Sequence, residues 1–199
     1  MLFQKLHEID TRNGRMRLVK LFGSERLLAE DRTEQSGSYM DSVWKTAFKA
    51  LPKKYTPQTI TFFGVGIGGA LKLATKKFPS AKIIGIEWDP TLCTIAAERL
   101  AEEKNILLVE ADAEEWITQM LPSDISCVDL FTGLDVAPCV RNIDFLRKII
   151  SNSHITFINI YIHTEILDNV DKVVAPLPHK RLQYYTSTIG MYGSPHLRS

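Results

Sequence analysis

Residues 59–69 read Thr-Ile-Thr-Phe-Phe-Gly-Val-Gly-Ile-Gly-Gly, and a second apolar run, Lys-Ile-Ile-Gly-Ile-Glu, follows at 82–87. The short apolar run before Gly64 is rich in β-formers, which predicts a buried strand. The glycines allow a tight turn and close approach to a ligand, and the helix expected next directs free N–H groups at that ligand. The second run ends at Glu87, whose carboxylate can accept hydrogen bonds from both hydroxyls of a ribose. The stretch therefore predicts a site for an adenosine-type cofactor.

The glycines fit two cofactor patterns. Gly64, Gly66 and Gly69 match the G-x-G-x-x-G of dinucleotide-binding proteins. Gly64, Gly66 and Gly68 match the G-x-G-x-G of S-adenosylmethionine enzymes. A turn built of small residues for close packing is the alternative, but strand, glycine loop, helix and acid-ended strand in this order favour a cofactor site.

The composition is that of an ordinary folded domain. The chain has 199 residues, of which 45% are hydrophobic, and this suits one α/β domain with a small extension. A formal net charge of +1 makes a nucleic-acid partner unexpected. No run approaches the ~20 apolar residues of a membrane span, and the N-terminus lacks the layout of a signal peptide. We expect no membrane attachment.

Cysteine and histidine residues show no metal-binding pattern. Three cysteines and five histidines are scattered along the chain: Cys93, Cys127, Cys139, His7, His154, His163, His179 and His196. Without ligand spacing, no metal site is expected. The cysteines are interpreted as reduced packing residues, which predicts a cytoplasmic protein.

Apolar periodicity and turn signals predict alternating strands and helices. Residues 2–9 and 15–22 form a predicted hairpin around Asn13-Gly14, 24–30 a further short strand, and 38–51 a helix. Five strands then alternate with four helices: strands 59–64, 82–87, 105–110, 125–131 and 154–161, and helices 68–77, 90–103, 113–120 and 141–150.

This alternation predicts a doubly wound, Rossmann-like α/β sheet that is mostly parallel. Residues 172–175 and 181–189 are predicted to close it as an antiparallel pair. The predicted organisation is an N-terminal β-hairpin extension, 1–37, followed by a Rossmann-like cofactor-binding domain, 38–199.

Two more acids follow predicted strands. Asp112 comes just after the third core strand and Asp129 ends the fourth, so both are expected beside the cleft at the carboxyl ends of the sheet. Asp112 can accept a hydrogen bond from an adenine amino group or cap the next helix, and the two roles are compatible. Asp129 stands in an apolar setting, where a carboxylate is costly unless a cationic or hydrogen-bonding group meets it.

From about residue 27 to about residue 161, the chain resembles the spermidine synthase-like branch of the class I S-adenosylmethionine-dependent methyltransferases. Seven segments carry the resemblance: the glycine loop at 64–69, Ile86-Glu87-Trp88-Asp89-Pro90, Glu110-Ala111-Asp112-Ala113, Val128-Asp129-Leu130-Phe131, Val136-Ala137-Pro138, Asp144-Phe145-Leu146 and Ser38-Tyr39-Met40-Asp41. The resemblance implies a Rossmann-like core preceded by a small β-domain.

The resemblance also implies roles for individual residues. The cofactor, S-adenosylmethionine or its decarboxylated form, would bind through these positions: Gly64, Gly66, Gly68, Gly69, Glu87, Trp88, Asp112 and Ala113. Asp129 would orient the acceptor or take its proton. Tyr39 and Phe131 would close the cavity, although both also suit core packing.

Three departures distinguish the chain from spermidine synthases. The aspartate of their glycine loop is Ile67 here, the second aspartate after their fourth strand is Thr132, and the glutamine after the tyrosine is Met40. A dication needs several carboxylates to replace its lost hydration, and Asp129 is what the chain keeps of that set. Methyl transfer to a small-molecule acceptor is therefore favoured over aminopropyl transfer.

Two alternatives stay open. One is an aminopropyltransferase of the spermidine synthase type, and the other is a non-catalytic cofactor-binding subunit, against which a buried Asp129 argues. Arg12, Arg15, Arg17 and Lys20 make the hairpin basic, which we interpret as a solvated face rather than an RNA-binding one because no aromatic residues are interleaved. A homodimer is a further expectation.

Overall fold

The structure is a computed structural model that describes residues 3–193. Leu2, which begins the predicted first strand, and His196 lie outside these residues. A central seven-stranded sheet and a smaller four-stranded sheet organise the described part of the chain.

The chain opens with an antiparallel sheet of four strands: β1 (Phe3–Thr11), β2 (Gly14–Leu21), β3 (Ser24–Leu28) and β4 (Glu34–Ser36). The predicted hairpin is confirmed, with Thr11 paired to Gly14 at its turn. β4 has no counterpart in the sequence prediction, because three residues are too few to show a periodicity. Met16 and Leu27 pack with Ile67 of the glycine loop, so this sheet lies against the core.

The remaining strands are β5 (Thr59–Phe63), β6 (Lys82–Glu87), β7 (Ile106–Glu110), β8 (Ser123–Val128), a two-stranded hairpin of β9 (Phe131–Thr132) and β10 (Asp135–Val136), then β11 (Ser153–Ile160), β12 (His179–Tyr184) and β13 (Ser187–Gly193). The central sheet has the order β12-β13-β11-β8-β5-β6-β7. The strands from β11 to β7 are mutually parallel, and β13 is antiparallel to both of its neighbours. The predicted doubly wound, mostly parallel sheet with an antiparallel C-terminal strand is confirmed.

The helices are α1 (Ser38–Lys49), α2 (Gly69–Lys77), α3 (Pro90–Arg99), α4 (Ala113–Trp116), α5 (Pro138–Arg141), α6 (Ile143–Ser151) and α7 (Thr164–Val173). The predicted helix 113–120 is one turn long. The predicted helix 141–150 is divided at Asn142, whose extended backbone separates α5 from α6 and whose side chain accepts a hydrogen bond from Asp144 N at 3.0 Å. Asn142 is thus the N-cap of α6.

The C-terminal prediction is wrong in one part. Residues 172–175 are not a strand, because Lys172 and Val173 end helix α7, which buries Ile166 and Val170 on one face. The predicted strand 181–189 is a hairpin instead, since Tyr185 adopts a left-handed φ of 48° between β12 and β13. The antiparallel pair therefore exists, but it forms within one predicted strand.

An aromatic cluster fixes α1 to the sheet. The ring centroids of Trp44 and Phe62 lie 5.6 Å apart, and those of Phe48 and Phe157 lie 6.3 Å apart. Burial of such side chains stabilises the fold by about 1.5–3 kcal/mol each. Helices α6 and α7 cover the opposite face of the sheet. The cluster therefore holds α1 against the carboxyl half of the core strands, where its first turns reach the site described next.

Candidate functional site

One large cavity, of about 880 Å³, opens at the carboxyl ends of the core strands. Its volume lies in the range of about 300–1,000 Å³ that is typical of small-molecule sites. Residues after β5, β6, β7 and β8 form its floor, while the N-terminal sheet, the start of α1 and the β12–β13 turn form its walls. This is the edge at which open α/β sheets bind ligands.

Gly64 is required by the close approach of two strand ends. A Cβ atom at this position would lie 2.2 Å from the carbonyl oxygen of Asp129, and the backbone φ is 88°. The neighbouring strands pair there, since Asp129 N donates to Phe63 O at 2.8 Å. Gly64 and Gly66 line the cavity with backbone, as the sequence predicts for a cofactor loop.

Gly68 and Gly69 serve a different contact. Gly68 is the N-cap of α2 with a φ of 87°, and a Cβ there would lie 2.8 Å from Leu100. A Cβ on Gly69 would lie 2.8 Å from an oxygen of Asp41. The described residues that line the cavity include neither glycine. Both allow close packing of α2, which is the alternative that the sequence left open.

Glu87 ends β6 and braces the glycine loop. One carboxylate oxygen accepts hydrogen bonds from Val65 N and Gly66 N, both at 3.0 Å, and the other accepts one from Asp89 N at 3.2 Å. Burial raises the pKa of Glu87, and these backbone hydrogen bonds lower it in part. A carboxylate has about four lone-pair directions, so Glu87 retains capacity for a ligand hydroxyl on the cavity side.

Trp88, Asp112 and Ala113 extend the same wall of the cavity. Asp112 is the N-cap of α4, and its side chain accepts a hydrogen bond from Glu114 N at 2.7 Å. Its second oxygen is the one available to a ligand. The capping role is therefore observed, and the adenine-side role stays a prediction that is compatible with it.

Asp129 is half-buried and directly follows β8, so it lies on one side of the glycine loop after β5 while Glu87 of β6 lies on the other. Its two carboxylate oxygens accept hydrogen bonds from Trp44 Nε1 and Asn159 Nδ2, each at 2.8 Å. Burial raises its pKa, and the hydrogen bonds from Asn159 and Trp44 partly offset that rise. The sequence predicts that a cationic or hydrogen-bonding group meets the Asp129 carboxylate, and the structure shows two neutral donors there. Within the described residues, no lysine, arginine or histidine forms an ion pair with Asp129.

Asn159 has a buried oxygen without a partner. Its side chain is 2% exposed and lines the cavity beside Asp129. Only the amide nitrogen can donate to the carboxylate, so that bond fixes the amide orientation and leaves Oδ1 with no hydrogen bond. An unpaired buried acceptor costs about 1–3 kcal/mol. A ligand that donates a hydrogen bond would satisfy this oxygen.

Tyr39, in the first turn of α1, lies on the same side of the cavity. Its hydroxyl is 2.9 Å from Thr186 Oγ1 and 3.1 Å from Ser187 Oγ, so α1 is tied to the turn before β13. Glu34 holds the helix start in place by accepting from Tyr39 N at 2.6 Å. Phe131, half-buried in β9, lines the cavity as well. That Tyr39 closes the cavity, and takes part in catalysis there, stays a prediction.

The sequence predicts that Arg12 belongs to a solvated basic face, but in the structure it contacts the loop after β6. Its backbone N–H donates to the Asp89 carboxylate and its guanidinium to the carbonyl oxygen of Trp88. The same guanidinium lies 5.5 Å from the centroid of the Trp88 ring. Arg15 instead bonds Asp10 at the surface. The hairpin tip is thus part of the site, which no periodicity in the sequence indicates.

Two further features are absent from residues 3–193. No group of three or more histidine, cysteine, aspartate or glutamate side chains there is arranged to hold a metal ion. Over the same residues, no helix combines the length and the apolar character needed to cross a membrane.

Comparisons with known proteins reach the fold through structure rather than sequence. No protein-family model matches the chain, and no curated protein sequence matches it. Human methyltransferase-like protein 13 in complex with SAH is similar over 81% of this chain and 85% of that chain, with a TM-score of 0.64 and 15% identity. The chain has the fold of a methyltransferase.

Two other solved structures agree. The plantazolicin methyltransferase BpumL in complex with SAH matches 78% of this chain and 84% of its own, with a TM-score of 0.60 and 11% identity. The precorrin-6y C5,15-methyltransferase from Geobacter metallireducens GS-15 is similar over 85% of this chain and 93% of its own, with a TM-score of 0.60 and 11% identity. At such identities the likeness establishes the Rossmann-like methyltransferase fold, and the acceptor is a separate question.

Proposed function

We propose that the protein is an S-adenosylmethionine-dependent methyltransferase that acts on a small-molecule acceptor. The observation that carries the proposal is one cavity in which the glycine-loop backbone lies between Glu87 on one side and the half-buried carboxylate of Asp129 on the other. Methyltransferases of the same fold that are crystallised with SAH, the product of S-adenosylmethionine, support this choice of cofactor.

At the cofactor end, we assign Glu87 to the ribose and Asp112 with Ala113 to the adenine. Trp88 contributes an aromatic face, and the backbone of Gly64 and Gly66 leaves room for the methionine part. When bound, S-adenosylmethionine supplies an activated methyl group, so the protein contributes mainly alignment and exclusion of water. Gly68 and Gly69 act indirectly, because they allow α2 to begin close to the loop.

At the acceptor end, we assign Asp129 and Asn159 to orienting the nucleophile. Both offer hydrogen-bond acceptors in a buried setting, and Asn159 Oδ1 has no partner within the described residues. An acceptor that carries an N–H or O–H group beside the methylated atom fits this arrangement. Asp129 can then hold, or remove, the proton that the nucleophile loses.

We also infer a relationship to the spermidine synthase-like branch. The motifs around Glu87, Asp112 and Asp129 support it, as does the antiparallel sheet ahead of the core. Ile67 and Thr132 stand where that branch has carboxylates, which favours methyl transfer over aminopropyl transfer. A cytoplasmic protein with a small-molecule partner remains part of this proposal.

Calorimetry tests the cofactor assignment. We expect S-adenosylmethionine and its demethylated product to bind at one site per chain, and NAD not to bind. Tight NAD binding without a response to S-adenosylmethionine would overturn the proposal. Mass spectrometry of small molecules that copurify with the protein is the most direct route to the acceptor.

A further inference from the structure

The tip of the β1–β2 hairpin reaches the cofactor end of the cavity. Arg12 and Asn13 line the cavity together with Trp88 and Asp112, which come from the carboxyl ends of β6 and β7. The hairpin belongs to the N-terminal sheet, about 75 residues earlier in the chain. The cavity wall at this end is therefore completed by a segment outside the Rossmann-like core.

The tip has two separate attachments. The backbone N–H of Arg12 donates to Asp89, a fully buried carboxylate whose other oxygen accepts from Leu92 N at 2.9 Å as the N-cap of α3. The guanidinium makes a second set of contacts, with the carbonyl oxygen and ring of Trp88 and with Glu110 at 3.9 Å. Because the first attachment uses backbone alone, the fold does not need the guanidinium to dock the hairpin.

The guanidinium has donors to spare. Arginine carries five N–H donors, and within the described part of the chain Nη1 is the one that makes a hydrogen bond. Its side chain is 50% exposed, so the remaining donors are available at the cavity mouth. A guanidinium also makes cation–π contacts with aromatic rings, and that of Arg12 lies over the Trp88 ring, 5.5 Å from its centroid.

We propose that Arg12 is a cofactor-retaining residue, which contacts the adenosine part of the bound cofactor and closes the cavity over it. Its free donors suit the ring nitrogens of adenine or the ribose oxygens, and its contacts with Trp88 and Glu110 hold it across the ends of β6 and β7. The inference rests on the proposed cofactor. It predicts that release of the cofactor is limited by separation of Arg12 from Trp88.

The test compares the wild type with Arg12→Ala and Arg12→Lys, and with Arg15→Ala as a matched control. Arg15 lies on the same hairpin and bonds Asp10 at the surface, away from the cavity. Dissociation of radiolabelled S-adenosylhomocysteine is followed after a chase with unlabelled ligand. We expect Arg12→Ala to release ligand about tenfold faster, since one charge-assisted hydrogen bond is lost. Arg12→Lys should be intermediate and Arg15→Ala unchanged.

Thermal melting of the same proteins separates retention from a structural role. We expect the melting temperature of Arg12→Ala to stay close to that of the wild type, because the backbone bond to Asp89 persists. A lower melting temperature with an unchanged release rate would overturn the inference and leave the proposed function intact. Equal release rates for Arg12→Ala and Arg15→Ala would do the same. A wild type that binds no S-adenosylhomocysteine would refute the proposed function and this inference together.

Discussion

The two ends of the cavity are built in different ways. At the cofactor end, most groups come from short segments at consecutive strand ends, and Glu87 acts on the backbone of the loop it follows. At the acceptor end, Asp129 is held by Trp44 from α1 and Asn159 from β11, which are 85 and 30 residues away in sequence. Apart from Arg12, the cofactor end is built from backbone and strand-end groups of the core, whereas the acceptor end is built from side chains of separate elements.

Under the proposed function, this difference separates the groups that bind the cofactor from those that select the acceptor. Backbone and strand-end acids suit a ligand that is common to many proteins of this fold. The acceptor end instead depends on side chains that tertiary packing brings together from separate elements. Substitutions of these side chains leave the backbone hydrogen bonds of the glycine loop in place. Substitutions at the two ends are therefore expected to affect different measurements.

The largest effect should come from Asp129→Asn. We expect turnover on the true acceptor to fall by ~10²–10⁴-fold, the usual span for a positioned acid–base group. Affinity for S-adenosylhomocysteine should stay within a few-fold, because Asp129 lies at the acceptor end. Turnover and calorimetry on the same preparation check both statements.

Asp124→Asn is the control for that variant. Asp124 lies at the amino end of β8, the strand that Asp129 follows, and one of its carboxylate oxygens accepts from Gln58 N at 2.6 Å and Thr59 N at 3.0 Å. Its substitution should lower the melting temperature and leave turnover per folded molecule unchanged. Unchanged turnover in Asp129→Asn would remove Asp129 from the catalytic assignment and break the contrast between the two ends.

Glu87→Ala should weaken S-adenosylhomocysteine binding by at least tenfold. The loss of a charge-assisted hydrogen-bond pair is worth ~1.5–3 kcal/mol, and the glycine loop also loses its brace. Calorimetry measures the change, with Glu87→Gln as a variant that keeps the shape and one acceptor oxygen. If both variants bind the ligand as the wild type does, Glu87 does not contribute to the cofactor site in the way proposed.

A smaller effect concerns stability and pH. Burial raises the pKa of Asp129 in the folded protein, so the folded state binds that proton more tightly than the unfolded state does. The wild type therefore loses stability as pH rises from the unfolded pKa, about 3.9, through the raised folded pKa. Asp129→Asn has no such loss, and its amide can accept from Trp44 while donating to a flipped Asn159.

The melting temperature of Asp129→Asn relative to the wild type should consequently increase between about pH 4 and pH 7. Melting curves across this range measure the difference. A difference that does not vary with pH, or one that favours the wild type more as pH rises, would contradict the assignment of a buried carboxylate with neutral partners.

The last prediction is the absence of an activity, aminopropyl transfer. With Ile67 and Thr132 in place of carboxylates, the purified protein should not convert putrescine and decarboxylated S-adenosylmethionine to spermidine. Chromatography of the reaction products provides the measurement. Robust spermidine formation, abolished in Asp129→Asn, would show that the acceptor end binds a dication with fewer acids than we infer.

The sequence indicates the cofactor end well because its signals are contiguous. A β-rich run, glycines and an acid at a strand end predict Gly64 and Glu87 in a cleft, and the structure has both there. Trp44 could not be recognised, since its apolar helical spacing is that of a core residue. Asn159 stands inside an apolar strand with no motif around it, and its relation to Asp129 arises only when β11 pairs with β8.

The errors at the C-terminal end have a similar cause. Val173 and Val174 have high β-propensity, but the spacing of Ile166 and Val170 continues an amphipathic helix, and packing against the sheet outweighs the local preference. The turn at Tyr185 cannot be predicted from the sequence, because its left-handed backbone position is occupied by an aromatic residue rather than by the glycine or asparagine typical of such turns.

The position of β13 also sets an order of assembly. Among residues 3–193, β12 pairs with no strand but β13, which lies between it and β11. During synthesis β12 therefore leaves the ribosome before the strand that can hydrogen-bond it has been made. Thr186 and Ser187, the hydroxyl partners of Tyr39, stand where that last strand begins. The hydrogen bonds between Tyr39 and these two hydroxyls can therefore form only after the start of β13 has been made, whereas the glycine loop and Glu87 come about 100 residues earlier in the chain.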